Sequence, residues 1–565
     1  MKKYRNIALM GLTALLTATS CQDLLTEKPD SYYEEKNFFI NVENASLSVI
    51  GIYNAFTSTN HYGQVEMAMP TSDDMYFING TTTDNTRRDI SHYSISTTND
   101  WVRLLWINKY KSLERANYTL KGIEGMDLFK TGDSDLKKVW AEAKFLRAFI
   151  SYDLIKYWGD VPYKTEITTT YEEAYQPRTN REEIYDQIIA DLNDAIAFLP
   201  WAGGTSSAER ASQGAARGLM MRVLLQRSGY SLQMNGTMTR PEEGLRQEYL
   251  KGVLAQWEKF ETEGTHDFFA GGYRSYFEQN SKCIANTQES LFEMAFYTPD
   301  GKTGATGNWG TYNGPLVAAP SVAPTETGSV MGRANAFFRV LPAWKGFYEE
   351  TDERRDANIV TYQYKWDKNK KQHVKFENKA SSGWFPGKWR REWMDVGFKD
   401  PNNTDVNYCV LRYADVVLMA AEAYNETNNS AKAWELINEV RTRSHATAVD
   451  ASNYATHYKA PKVYDLPFIA DGDEQGKVRT ALYWERGFEL AYEGTRKLDL
   501  IRWNVLGDAI KLAYDNDSFG YTSNVGKEKF PAGRTFQKGK HELFPIPLDE
   551  IQLNYKLEGM NNPGY

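Results

Sequence analysis

Apolar residues spaced three and four apart constrain this chain more than any other feature. In REEIYDQIIADLNDAIAFLP, from Arg181, the residues Ile184, Ile188, Leu192, Ile196 and Leu199 share one helical face, charges take the opposite face, and Pro200 stops the run. The same spacing recurs in LKKVWAEAKFLRAFISYDLIKYWG from Leu136, SQGAARGLMMRVLLQ from Ser212, EYLKGVLAQWEKF from Glu248 and LRYADVVLMAAEAYNE from Leu411. The last of these passes through a NETNNS turn into AKAWELINEVRTR from Ala431. Ala414, Ala420, Ala421 and Ala423 permit close helix approach, so the pair is predicted to be a tetratricopeptide-like hairpin, although the full repeat signature is missing. Between about residue 264 and residue 408 the texture changes to Gly, Pro, Thr, Asn and aromatics, as in GKTGATGNWGTYNGPLVAAPSVAPTETG from Gly301. The expected fold is all-α dominated: tetratricopeptide-like hairpin repeats with a loop-rich, irregular second half. Loops this long inside a compact protein are usually functional or disordered.

The amino terminus reads as a targeting segment. Lys2, Lys3 and Arg5 precede an apolar stretch from Ile7 to Ala18, and Ala18-Thr19-Ser20 supplies small residues before a cleavage point. About a dozen apolar residues are too few to span a bilayer comfortably. The small residues run directly into Cys21, which resembles the lipobox of bacterial lipoproteins. Residues 1–20 are therefore expected to be a signal peptide and 21–40 a lipidated start and tether, followed by a helical region over 41–263 and a second region over 264–565. Beyond Cys21 only Cys283 and Cys409 remain, too few for a disulfide framework, and whether they pair is open. The formal net charge of −8 argues against a nucleic-acid partner.

Enzyme signatures are sparse. Glu485, Glu489 and Glu493 fall on one helix face in WERGFELAYEGTRKLDLIRW, and paired carboxylates are what a glycosidase needs. Arg486, Arg496 and Arg502 are interleaved with them, which favours a structural ion-pair network. Gly304, Gly307 and Gly310 fail as a dinucleotide fingerprint for want of a flanking strand and helix. DNDSFG from Asp515 and DGDEQG from Asp471 begin like calcium loops, but Gly526 and Leu482 stand where a glutamate is needed. HExxH, GxSxG and paired CxxC motifs are absent, so neither a metal site nor a cofactor is expected.

Aromatic residues are the richer resource, with 15 Trp and 36 Tyr. A sugar offers a C–H face that packs on a ring and hydroxyls that Arg, Asp and Asn can grip. Core packing is the ordinary role of any single ring, so clustering in polar loops carries the argument. Two stretches qualify, Ser72 to Trp101 and residues 296–344. Their candidates for glycan contact are Asp73, Asp74, Tyr76, Arg87, Arg88, Trp101, Tyr297, Trp309, Tyr312, Arg333 and Asn335.

Several further stretches carry a family resemblance along nearly the whole chain. CQDLLTEKP from Cys21, WINKYKSLERAN with Trp106, Tyr110, Leu113 and Asn117, and AEAKFLRAFISYDLIKYWGDVPY from Ala141 stand in the first half. LRYADVVLMAAEAYNE, INEVRTR from Ile437, ERGFELAYEGTRKLDLIRW from Glu485 and LFPIPLDEIQLNYKLEGMNNPGY from Leu543 follow in order. In these the chain resembles SusD/RagB lipoproteins of Bacteroidetes. The resemblance implies a single globular unit on four helix-hairpin repeats, with Trp106, Arg147, Arg412, Glu422 and Glu485 as scaffold. It also implies a non-catalytic glycan-binding lipoprotein at the outer-membrane surface, anchored by acyl chains on Cys21. Its partner would be a SusC-like TonB-dependent transporter, to which it delivers oligo- or polysaccharide. Starch, fructan, mannan, xylan, pectin and host glycans are all used in such a family, so the sugar stays open. Two alternatives stand beside it: a helical glycoside hydrolase using Glu485 or Glu489, and a structural surface lipoprotein without a sugar ligand.

Overall fold

The computed structural model describes residues 38–77, 82–203, 206–297, 306–321, 331–394, 402–458, 472–515 and 530–565. Cys21, the expected leader and nearly all of the tether lie outside the described residues, as does most of the calcium-like stretch from Asp515; the one from Asp471 is described from Gly472 and runs into a helix at Glu474.

Ten helices carry the frame: α1 (Val42–Phe56), α2 (Asp100–Gly125), α3 (Ser134–Trp158), α4 (Arg181–Phe198), α5 (Gln213–Ser228), α6 (Glu243–Glu263), α7 (Tyr413–Glu426), α8 (Ser430–Arg443), α9 (Glu474–Glu489) and α10 (Arg496–Arg502). Most of their starts are set by short polar side chains that accept the first unpaired N–H groups. Asn99 caps α2, Asp133 caps α3, Asn180 caps α4, Ser212 caps α5, Asn429 caps α8 and Asp473 caps α9. Gly159, at φ 68°, terminates α3 in a left-handed conformation that a side chain would resist. In α4 the residues Ile184, Ile188 and Leu192 are buried as their spacing predicts, and the helix stops before Pro200.

Each helix packs on the next: α1 on α2, α2 on α3, α3 on α4, α4 on α5, α5 on α6 and α6 on α7, with α8 and α9 closing on α7. This serial stacking is the helix-dominated architecture anticipated from periodicity. The NETNNS turn joins α7 to α8 as expected.

The loop-rich half contains more strand than its composition suggested. We label β1 (Met75–Phe77), β2 (Ser290–Met294), β3 (Phe338–Val340), β4 (Tyr362–Asp367), β5 (Gln372–Glu377) and β6 (Tyr408–Arg412). All pair antiparallel in two-stranded units: β1 with β3, β4 with β5, and β6 with β2. One contiguous hydrophobic core runs from Ala45 to Leu557 and takes residues from both halves.

Buried ion pairs cross-link this core. Arg147 on α3 grips Asp191 on α4 with two bonds of 2.7 Å. Arg502 on α10 reaches Glu422 on α7 at 2.7 Å, and Trp106 Nε1 donates to Glu550 at 3.3 Å. The expected scaffold role of these residues is met. Cys283 and Cys409 do not form a disulfide; Cys409 is buried on β6, and its thiol is pushed up by burial. Among the described residues no helix is long and apolar enough to cross a membrane.

Candidate functional site

The two polar, aromatic stretches picked out in the sequence meet in space. Strand β1 lies near the start of the first and β3 lies in the second; their register sets Tyr76 opposite Arg339 and Phe77 opposite Phe338. Leu341 N donates to Asp74 O at 2.9 Å and extends the pairing.

Arg87 stands where they join. Its guanidinium carbon is 4.3 Å from the Phe337 ring centroid, 5.0 Å from Phe77 and 5.4 Å from Trp101. A cation over ring faces is attracted by their quadrupoles, and the planar guanidinium also stacks. Tyr312 meets Phe337 edge-on at 4.4 Å and extends the aromatic surface. Arg87 is half-buried, and its Nε donates to no described residue. Burial draws its pKa below the ordinary arginine value, and Asp84 acts against that.

The polar residues around Arg87 mostly hold the backbone. The Asp84 carboxylate accepts from Thr86 N at 2.9 Å and Arg88 N at 3.2 Å. Asp89 accepts from Asp84 N and Asn85 N, and Asn85 sits at φ 55°. Asn99 caps α2 and donates from Nδ2 to Thr86 O at 3.0 Å. Arg88 donates to Thr82 O at 2.7 Å. Such Asx bonds replace regular secondary structure, so the loop's shape is set locally.

Arg333 and Asn335 belong to the same region of the fold. They flank Ala334, whose backbone bonds Val317 at 3.1 Å in both directions, and Ala318 N in turn donates to Tyr364 O on β4 at 3.0 Å. Arg333 is exposed and Asn335 half-buried. The β4–β5 hairpin thus joins the surface, bringing Tyr362, Tyr364 and Trp366 on alternate residues of β4. The sequence analysis missed this hairpin and the two rings beneath Arg87, Phe77 and Phe337. The alternation in TYQYKW followed by the polar DKNKKQ was a usable signal.

Five expected contacts are corrected. Trp309 is 3% exposed; its indole stacks on Tyr408 at 4.1 Å and 10°, and its Nε1 donates to Tyr62 O at 2.9 Å. With face and N–H both satisfied inside the core, the ring is not presented to a ligand. Asp73 is buried and held by Arg496 at 3.0 and 2.9 Å. Asp74 is buried, accepting from Ser72 and Met75 N; burial and the neighbouring Asp73 push its pKa up to about 6. Tyr76 lies wholly inside the core, and Trp101 is buried beneath Arg87. Tyr297 is 69% exposed just beyond β2, and no contact among the described residues joins it to the Arg87 group.

The other carboxylate arrangements are internal. Glu485 and Glu489 have no solvent exposure. Arg441 Nη1 donates to Glu485 at 2.9 Å, Arg354 bonds both carboxylates, and Arg412 Nη1 is 3.1 Å from Glu489. Burial alone would raise Glu489, but Arg443, Arg412 and Arg354 hold it well below the usual carboxylate range. A glycosidase acid needs access to sugar, which burial denies both residues, and Glu489 also lacks the raised pKa of such an acid, so neither can serve as one. His61, Glu66 and Asp153 converge as metal ligands might, yet Lys109 Nζ stands among them at 3.2, 3.3 and 2.7 Å. The ammonium takes the place of a cation there.

Comparison with known proteins now bears on the fold. Residues 271–565 match the pattern described as "SusD family" and residues 23–225 the one described as "Starch-binding associating with outer membrane". The chain belongs to the SusD family. SusD-like protein P25 of Formosa agariphila is 26% identical over the full length of both chains, and a SusD-like protein of Bacteroides ovatus is 23% identical over 99% of this chain and 94% of that one. Among solved structures, a SusD homolog from Bacteroides thetaiotaomicron superposes with a TM-score of 0.75 at 25% identity, covering 94% of this chain and 98% of its own. Surface glycan-binding protein A of Bacteroides thetaiotaomicron, solved with laminarihexaose, reaches 0.64 at 17% identity, covering 92% and 99%. That degree of identity speaks for the fold this SusD-family chain shares with it.

Proposed function

We propose that this SusD-family protein is a non-catalytic glycan-binding lipoprotein of the outer-membrane surface, lipidated at Cys21, that captures oligo- or polysaccharide and passes it to a SusC-like TonB-dependent transporter. The observation that carries the binding role is the Arg87 guanidinium seated over Phe77, Trp101 and Phe337, with Tyr312 beside them. The half-buried Phe337 and Tyr312 rings offer faces for sugar C–H groups, the buried Phe77 and Trp101 hold the guanidinium from within the core, and an arginine whose Nε has no hydrogen-bond partner among the described residues offers donors for hydroxyls. Arg88, Arg333, Asn335 and the β4 rings supply further contacts on that side, and Tyr297 is a separate outlying candidate. In this reading residues 41–263 form the helical region and 264–565 the region that contributes most loops.

The test is a titration of the full chain in detergent with laminarihexaose, maltohexaose, xylohexaose and mannohexaose, with reducing-end release measured in parallel. One or more sugars should bind uncleaved, and Arg87→Ala should weaken that binding at least tenfold. Undiminished affinity in Arg87→Ala removes the site assignment, and cleavage by wild type removes the non-catalytic reading.

A further inference from the structure

A second aromatic surface lies on the helical half and shares no residue with the Arg87 group. Helix α2 and the segment from Tyr163 to Gln176 enclose a groove of about 530 Å³, floored by Trp106 and Tyr110 and closed at one end by Glu550 to Asn554. Through Asn117, Lys164 and Gln176 it runs into a more polar recess of about 910 Å³, so the two form one cleft. The first volume is within the range of small-molecule pockets, and both recesses open to solvent.

Three tyrosines stand at its mouth. Tyr171 and Tyr175 meet edge-on at 5.2 Å, and Tyr175 meets Tyr555 at 5.4 Å. Tyr171 is 73% exposed and Tyr555 66% exposed, an unusual cost for large rings unless something covers them.

The backbone that presents these rings is tied down. Glu114 accepts from Thr168 N at 2.7 Å, Asn117 Nδ2 donates to Lys164 O at 3.1 Å, and Asn554 Nδ2 donates to Gln176 O at 2.9 Å. Tyr110 OH donates to Pro162 O at 2.7 Å at the base. A bound chain would therefore meet a surface already in shape, which reduces the ordering cost of binding.

We propose that this cleft is a second carbohydrate site, taking several consecutive sugar units of an oligosaccharide. Its lining includes the phenol rings of Tyr110, Tyr163, Tyr171 and Tyr175, which stack on sugar faces and carry hydroxyls, and Lys111, Lys164 and Gln176 line it as polar partners. A flat protein interface would not need the recess behind the rings.

The proposal is independent of the Arg87 surface, and one experiment separates them. The full chain in detergent is titrated calorimetrically with the four hexaoses above, as wild type, Arg87→Ala, Tyr171→Ala/Tyr175→Ala and Tyr171→Phe/Tyr175→Phe, each checked by thermal melting. Wild type should show two sites for at least one sugar. The alanine pair should lose one of them at least tenfold and keep the Arg87-dependent one, and the phenylalanine pair should stay within about threefold of wild type. Tyr171→Ala alone, at an exposed position, repeats the test if the pair unfolds. A single wild-type site lost only in the tyrosine variants would support the cleft and overturn the Arg87 surface. A single site lost only in Arg87→Ala, or no binding of any hexaose, overturns the proposal. So does an alanine pair that binds sugar normally but no longer co-purifies with a membrane protein, since the cleft would then be a protein interface.

Discussion

At the scale of single residues, charge burial dominates. Glu489 sits at zero exposure with Arg354, Arg412 and Arg443 around it, and the same arginines also reach Glu485 and Glu289. Removing one member of such a network leaves buried charge uncompensated, so Glu489→Gln should lower unfolding stability by about 3–5 kcal/mol, read by urea denaturation. Acid sensitivity should come from histidines. Burial holds His61 down to about 3, His92 to about 4 and His541 to about 3. Below the ordinary value near 6.5 the unfolded chain binds protons that the native state refuses, so stability falls as pH drops from 6.5 towards 4. At pH 5 each histidine accounts for about 2 kcal/mol of that loss. Asp74, raised to about 6, works in the opposite sense between pH 6 and 3.8 and offsets part of it. Melting temperature should therefore fall between pH 7 and 5, with His92→Gln flattening the slope; an unchanged slope in that variant would remove His92 from the account.

At the scale of elements, helix caps and site geometry are one structure. Asn99 begins α2 and also holds Thr86, the residue before Arg87. Asn99→Ala should cost about 1 kcal/mol of stability for the lost cap. It should also weaken sugar binding, because the Arg87 loop loses its tie; the two effects are separated by titrating well below the melting temperature. Trp309 behaves differently. Its ring fills the core between Tyr408 and Trp389. Trp309→Ala should lower stability by about 3–5 kcal/mol through the cavity it leaves, and fluorescence-detected unfolding will show this. The β4–β5 hairpin adds a further exposed aromatic edge, with Lys365 3.3 Å over Phe376 and Lys375 3.7 Å over Tyr362.

At the scale of the whole molecule, a shared core makes the helical stack and the loop-rich half interdependent. Arg412 on β6 reaches Glu289 beside β2 and both Glu489 and Glu493 on or beside α9, so the second half's strands are fastened to the helices by charge as well as by apolar packing. In the proposed function, attachment to the membrane falls to Cys21, ahead of the described residues. Full-length Cys21→Ala should fold and bind sugar normally yet fractionate away from membranes, because two or more acyl chains are needed for stable anchoring. Retention of the variant in the membrane fraction would count against the anchor.

The helical frame was legible in the sequence because a stripe at helical spacing has one way to bury itself, against another helix, and the caps and Pro200 mark where it stops. The scaffold role of Arg147, Arg412 and Glu422 was implied by the family resemblance, whereas that of Glu485 was legible in the arginines interleaved with it, since charges along an apolar face must pair if they are buried. Arg87 was singled out, but its partners were not: Phe77 and Phe337 lie 260 positions apart in number and meet only through the β1–β3 pairing. Trp309 and Asp73 look like binding residues in sequence, since an aromatic or acid in a polar loop gives no sign of which way it faces. The sequence by itself determined the helices and their order; tertiary structure alone decided which loop side chains the core would consume and which it would leave to solvent, because burial depends on partners distant in the chain.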